Sequence, residues 1–181
     1  IFIVHHSLRV ERLVRQILAG EPPLPGKANL TLRVAAILHD IGGFEDRPNH
    51  AEVGARVAGK LLETTGTFLK DHVSPSELVS LIRYHSRGID IPVWPELAIL
   101  RDADILDQVG AMSILKQANQ GEYSKAGFYS DMYTRLASET LGECQAIAPQ
   151  LFTPTAKTLL GGKRVFIESF VRQLDEELGE A

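Results

Sequence analysis

Apolar residues recur along this chain at helical spacing. Val10, Leu13, Val14 and Ile17 follow the i, i+3, i+4, i+7 rule of one helix face. Leu30, Val34, Ile37, Leu38 and Ile41 repeat the rule, and Gly42-Gly43 supplies a stop. Val53, Gly54, Val57, Ala58 and Leu61 predict a third helix, ended by Gly66. Ser74-Pro75-Ser76-Glu77 reads as a helix start, in which Ser74 caps, Pro75 suits the first position and Glu77 completes a capping box. Leu78, Leu81 and Ile82 then mark its inner face. A fifth helix opens at Pro95 and runs to about Ala118, apolar on most sides through Leu97, Ile99, Leu100, Ile105, Leu106 and Val109, as a buried helix is. Ser124–Cys144 predicts a sixth, with Tyr129, Met132, Tyr133 and Leu136 on one face. Thr155–Leu178 predicts a seventh, broken at Gly161-Gly162, with Phe166, Ile167, Phe170, Val171 and Leu174 as its stripe. No run alternates with period two for long, and Glu21–Gly26 is a proline-rich turn. The fold class expected is all-α, in one domain over residues 1–181. Residues from about 124 to 178 would close the bundle.

Several polar residues interrupt these apolar faces. His6 lies four residues before Val10, and His50 three before Val53. His85 lies three after Ile82, and Asp104 four after Leu100. His39 and Asp40 close the second helix. Five helices thus each send a His or Asp toward the core side. An uncompensated carboxylate there costs several kcal/mol or shifts its pKa until it is neutral. A lone core histidine usually needs only a hydrogen bond, but so many such positions call for a common partner. A divalent metal ion is the simplest, because it accepts neutral imidazole and cancels carboxylate charge.

Composition narrows the function classes. The 181 residues carry 19 Lys and Arg against 23 Asp and Glu, a net charge of −4. That argues against a nucleic-acid binder working through a basic face. No membrane span is expected. Cys144 is the only cysteine, so no internal disulfide forms, and a reducing, cytoplasmic setting is expected. All six histidines (5, 6, 39, 50, 72 and 85) lie in the first half of the chain. The chain opens at Ile1 rather than methionine, as a piece of a longer protein would, and Ile1–Val4 lacks the features of a signal peptide.

In their order along the chain these motifs resemble the HD superfamily of metal-dependent phosphohydrolases. His6-Ser7-Leu8-Arg9-Val10 resembles the family's opening motif, and Ile37-Leu38-His39-Asp40-Ile41-Gly42 the doublet that names it. Asp102-Ala103-Asp104-Ile105-Leu106-Asp107 resembles the last motif. The likeness covers roughly residues 4–178, and the C-terminal helices resemble a subgroup of bacterial predicted HD hydrolases. It implies an HD-domain helical bundle of about seven or more helices. It also implies that His6, His39, Asp40 and Asp104 are the primary metal ligands. His50 and His85 resemble the extra histidines of subgroups with a second ion. Two departures stand out: Ile105 where the subgroup often has Arg, and Gly43 where many members have Lys. The Gly-Tyr-Pro loop of the cyclic-diguanylate branch is absent.

The implied activity is hydrolysis of a nucleotide or another small phosphate ester by metal-activated water, as a phosphomonoesterase or phosphodiesterase. Mixed nitrogen and oxygen ligation suits Mn, Fe, Co, Ni or Zn, with Mg also open, as one ion or a binuclear pair. Asp40 is the natural bridge between two ions. Arg9 is the favoured cation for the phosphoryl group, ahead of Lys60, Arg83, Arg87, Arg101 and Lys116. Glu45-Asp46-Arg47 offers a general acid or a gate, although a solvated loop is the plainer reading. Asp102 is the rival to Asp104. His5, His72, Trp94 and Cys144 read as structural or surface residues. Two other functions stay open, a non-catalytic nucleotide-binding sensor and a di-iron oxygenase-type protein. The expected partner is a small phosphorylated substrate, with no nucleic acid or membrane, and a homodimer through the apolar C-terminal helix is allowed.

Overall fold

The computed structural model describes residues 2–64, 67–86, 94–120 and 123–179, all helix, turn or loop with no strand among them. Gly66, Arg87 and Pro92 lie outside the described residues. The fold is all-α, as expected. It divides into two compact units, Ile1–Asp104 and Ile105–Ala181.

In the first unit, α1 (Phe2–Gly20) packs on α2 (Ala28–Leu38), α2 on α5 (Pro75–Tyr84), and α5 on α3 (His50–Thr64). The α1 stripe of Val10, Leu13, Val14 and Ile17 is buried as expected, and so is the α5 stripe of Leu78, Leu81 and Ile82. Each such fully buried aliphatic side chain contributes about 1.5–3 kcal/mol. The α2 face differs from expectation. Leu30 and Ile37 turn outward, 39% and 45% exposed, while Ala28, Leu32, Ala35 and Ala36 face in. On α3 the inner residues are Ala51, Gly54, Ala55, Ala58 and Leu62, with Leu61 outside. Small residues let these helices approach closely, so the inner face is not where the largest side chains are. A short helix, α4 (Thr67–His72), precedes α5 and ends with His72. The start of α5 is also built differently. Ser74 makes no side-chain cap; its own N–H donates to Thr31 Oγ1 of α2 at 2.9 Å. A residue from a neighbouring helix thus does what the capping-box glutamate would do. The last helix here, α6 (Pro95–Leu106), buries Leu97, Ala98, Ile99 and Leu100.

The predicted fifth helix is in fact two. α6 stops at Leu106 and α7 runs Ala111–Ala118, because Gly110 takes a φ of +100°, open to glycine and strained for other residues. In the second unit Lys163 Nζ donates to the Val109 carbonyl at 3.0 Å, closing that break. The sixth helix starts at Phe128 rather than Ser124. It comprises α8 (Phe128–Thr134), a π-helical stretch over Arg135–Thr140 and α9 (Leu141–Ile147). The long α10 (Pro154–Leu178) continues unbroken through Gly161-Gly162. Thr153 caps it by accepting from the Ala156 N–H, Pro154 occupies its first turn, and Gly179 ends it at φ +68°.

Candidate metal centre

Three of the site imidazoles stand next to helix ends. His39 follows the last residue of α2 and His85 the last residue of α5. The final carbonyls of a helix lack intrahelical partners. The His39 Nδ1–H donates to the Ala36 carbonyl at 2.8 Å, and the His85 Nδ1–H to the Ile82 carbonyl at 2.7 Å. His50, the first residue of α3, repeats the pattern, its Nδ1–H donating to the Arg47 carbonyl at 2.9 Å. A carbonyl can only accept, so in all three rings Nδ1 carries a proton, and each ring in its neutral form presents a lone pair at Nε2. Asp40 follows the doublet's His39 with φ −97° and ψ 5°, in the bridge region, and precedes a 3-10 turn over Ile41–Phe44.

The Nε2 atoms converge. His50 Nε2 lies 3.2 Å from His85 Nε2, and His39 Nε2 lies 3.2 Å from His6 Nε2. Asp104 Oδ1 stands 3.1 Å from His6 Nε2 and 3.7 Å from His39 Nε2. Asp40 Oδ1 stands 3.4 Å from His50 Nε2 and 3.9 Å from His85 Nε2. Neighbouring ligands on one ion with metal–nitrogen bonds of about 2.1 Å sit roughly 3.0–3.4 Å apart. Three overlapping groups could each hold an ion: His6, His39 and Asp40; His39, His85 and Asp104; and Asp40, His50 and His85. Within each group the donor atoms all lie within 4.8 Å of one another. With both rings neutral, His50 and His85 present facing lone pairs that a bound cation would satisfy. The donor set therefore fits a divalent metal. Asp40 belongs to two of the groups, and so do His39 and His85.

Burial and charge set the protonation states. Burial, reinforced by the field of His39, pushes the His85 imidazole down to about 4, so it is neutral near pH 7 and ready to donate its lone pair. For Asp104 burial pulls the carboxyl up, but the adjoining His39 and His6 imidazoles outweigh it and hold the group below the usual carboxylate range. For Asp40 burial again pulls up, and the Arg47 hydrogen bond with nearby positive fields brings the net shift down. Both carboxyl groups are ionised near neutrality.

Of the remaining residues singled out in the sequence, Arg9 sits three positions after His6 on α1, half-buried. Arg101 is buried and donates from Nη2 to the Tyr84 carbonyl at 2.9 Å, tying α6 to the end of α5 beside His85. It acts as a brace inside the fold. Arg83 pairs with Glu52 at 3.1 Å, and Lys60 and Lys116 are exposed. Asp102 is fully buried, and the convergent groups among the described residues contain Asp104 in its place. His5 and His72 are exposed, and Trp94 packs edge-on against Tyr84. Cys144 is buried, which pushes its thiol up and away from reactivity. In the loop before α3, Glu45 pairs with Arg56 and Asp46 with Asn49. Arg47 reaches the cluster, its Nη1 donating to Asp40 Oδ2 at 2.8 Å. Sequence reasoning did not assign that contact. The available signal was a cation three residues before His50, on the loop that follows the doublet.

Among solved structures the chain resembles a predicted HD superfamily hydrolase from an uncultured Thermotogales bacterium. The two are 26% identical, with a TM-score of 0.65 over 97% of this chain and 81% of that one. It also shares its fold with Bacillus subtilis YpgQ, at 20% identity and a TM-score of 0.65 over 97% of this chain and 88% of that one. The same holds for YpgQ in complex with ADP, at 20% identity and a TM-score of 0.63 over 97% and 89%. No curated protein matches the chain. Residues 3–109 match the HD domain, a span that begins on α1 before His6 and ends just after Asp104, so the helices carrying the six convergent side chains are those of the family and the chain belongs to it.

Proposed function

We propose that this chain is a metal-dependent phosphohydrolase acting on a nucleotide or another small phosphate ester. The observation that carries the reading is the convergence of His50 and His85 Nε2, each ring turned so that its Nδ1–H bonds a backbone carbonyl, on the ionised Asp40. In this reading His6, His39, Asp40 and Asp104 hold one ion, and His50 and His85 join Asp40 on a second. Bound there, the ions would activate water and offset charge developing on the phosphoryl oxygens. The residues do the rest. The carbonyls of Ala36, Arg47 and Ile82 hold three rings in the donating tautomer, a supporting contact that fixes ring direction as well as proton position. The two carboxylates of Asp40 and Asp104, kept ionised, balance the ions' charge. Arg9 would meet the phosphoryl group from α1. The ADP bound by YpgQ supports a nucleotide as substrate.

The test is metal analysis of the purified protein followed by a panel of nucleotides and phosphate esters with Mn, Co, Ni and Mg. Bound or activating metal and release of phosphate from a panel member are expected. Asp40→Asn should abolish turnover. A protein that takes up no metal, or an Asp40→Asn variant with unchanged activity, would refute the assignment.

A further inference from the structure

Arg47 occupies an unusual place at this site. Its backbone and its side chain serve two different ligands. The carbonyl accepts from His50 Nδ1 at 2.9 Å, and the guanidinium Nη1 donates to Asp40 Oδ2 at 2.8 Å. Oδ1 of the same carboxylate faces His50 and His85. The guanidinium thus covers the one Asp40 oxygen that is not turned to those rings. The 3-10 turn is shaped to admit it. A Cβ on Gly43 would sit 3.0 Å from Arg47 Nη1 and 3.5 Å from its Cδ, so glycine there leaves the arginine room to lie across the turn. The hold is at one end only, since 60% of the side chain remains exposed. The backbone of Arg47 is pinned by His50 while its side chain can swing.

A guanidinium and a metal ion compete for the same carboxylate oxygen. An ion that takes Asp40 Oδ2 releases the guanidinium at the solvent side of the site, with its planar fork of donors free. Such a fork matches a phosphate oxygen pair in shape and charge. We propose that Arg47 is the substrate's phosphate clamp, held on Asp40 Oδ2 until an ion takes that oxygen and passed to the phosphoryl group thereafter. Metal loading would then prepare the substrate subsite. This rests on the phosphohydrolase reading and adds to it a residue that neither the family match nor the doublet assigns.

Arg47→Ala and Arg47→Lys separate the possibilities, using two probes that need no known substrate. The first is the Mn2+ binding isotherm of the metal-stripped protein. The second is the affinity of the Mn2+-loaded protein for inorganic phosphate. Removing the guanidinium should tighten Mn2+ binding, because a competitor is gone. It should also weaken phosphate binding roughly tenfold to a hundredfold, as loss of a charge-assisted hydrogen bond does. Arg47→Lys, which keeps the charge and loses the fork, should fall between the two for phosphate. The exposed side chain makes misfolding of either variant a minor concern, and their melting curves check it. Unchanged phosphate affinity in Arg47→Ala would overturn the clamp. So would weaker Mn2+ binding, which would make Arg47 a mere support for Asp40. Failure of the unmodified protein to bind Mn2+ is a distinct outcome, which refutes the metal reading beneath the proposal and the clamp with it.

Discussion

Gly42→Ala would pull the two halves of the site apart. Gly42 lies in the 3-10 turn just after Asp40 and faces the first turn of α3. A Cβ there would overlap the His50 carbonyl oxygen and the Gly54 amide nitrogen, and would stand 3.0 Å from the His50 carbonyl carbon. All three are backbone atoms, so no rotamer change can make room. Carbon and oxygen ordinarily stay about 3.3 Å or more apart, which means α3 must retreat by on the order of 1 Å. Its own fit is tight, since a Cβ on Gly54 would already meet Ile82 Cγ2 at 3.1 Å. Overpacking costs about 1–3 kcal/mol, and clashes that only the backbone can relieve belong at the upper end. For a chain of this size about 3 kcal/mol lowers Tm by on the order of 10 °C. The same retreat lengthens the 3.4 Å separation of His50 from Asp40, so the ion proposed for that group should be lost first. Thermal melting and Mn2+ stoichiometry measure both effects. Gly59→Ala on the same helix is the control. Nothing lies within 4 Å of its added Cβ, and it should gain up to about 1 kcal/mol from helix propensity. A Gly42→Ala protein that melts with the unmodified chain, or keeps its full metal content, would refute the argument.

Gly161→Ala and Gly162→Ala in α10 should each stabilise by up to about 1 kcal/mol, because both sites are exposed and an added Cβ meets nothing within 4 Å. A urea midpoint that stays put or falls would contradict this. The metal-free protein should lose stability as pH falls from about 6.5 to about 4, because over that range the unfolded chain protonates His85 and the folded chain does not. The contribution is about 3 kcal/mol, is complete above that window, and should vanish in His85→Asn. Asp40 and Asp104 act lower, since their depressed carboxyl pKa values remove stability only as pH falls below about 4. Urea titrations in chelator across the window check the sign, and a flat profile would refute it. Mn2+ at a hundred times its Kd should stabilise by about 3 kcal/mol, seen as a rise in Tm, and Asp104→Ala should reduce that rise.

The sequence exposes some of these features and hides others for physical reasons. The stripes on α1 and α5 are readable because large aliphatic residues, Val10, Ile17, Leu78 and Ile82 among them, are the ones that face inward. On α2 and α3 the close approach of helices selects Ala35, Ala36, Gly54 and Ala58, and the larger Leu30, Ile37 and Leu61 are turned out. A reading that weights side-chain size then misplaces the α2 face, while on α3 the expected stripe holds at Gly54 and Ala58 and fails at Leu61. Gly161-Gly162 looked like a break. The helical cost of two glycines is only about 2 kcal/mol, and burial of Leu160, Ile167 and Val171 on the same helix offsets it. Gly110 does break its helix because its φ is positive, which sequence does not announce. The six convergent side chains, by contrast, were each legible as polar residues on or next to a predicted helix. Arg47 was hidden because a charged loop residue is usually solvated, and its contact depends on how the turn after the doublet folds back.

One hydrogen bond per ring joins fold and chemistry here. The carbonyls of Ala36 and Ile82 are among the last in their helices and would otherwise lack a partner. Donation from His39 and His85 Nδ1–H satisfies them, and the same bond leaves Nε2 bare and aimed at the other imidazoles. With both rings neutral, the Nε2 lone pairs of His50 and His85 would face each other at 3.2 Å. A conventional core would avoid it by letting one ring flip and donate Nε2–H to its neighbour, but flipping would orphan a buried carbonyl at a cost of about 1–3 kcal/mol. The requirement to end their helices properly therefore favours the tautomer whose Nε2 is free in the neutral ring. That is the condition under which a cation is bound most strongly, since the ion meets donors already turned toward it and pays little to reorganise them. The helix ends, as much as the ligand identities, suit these residues to hold a metal ion.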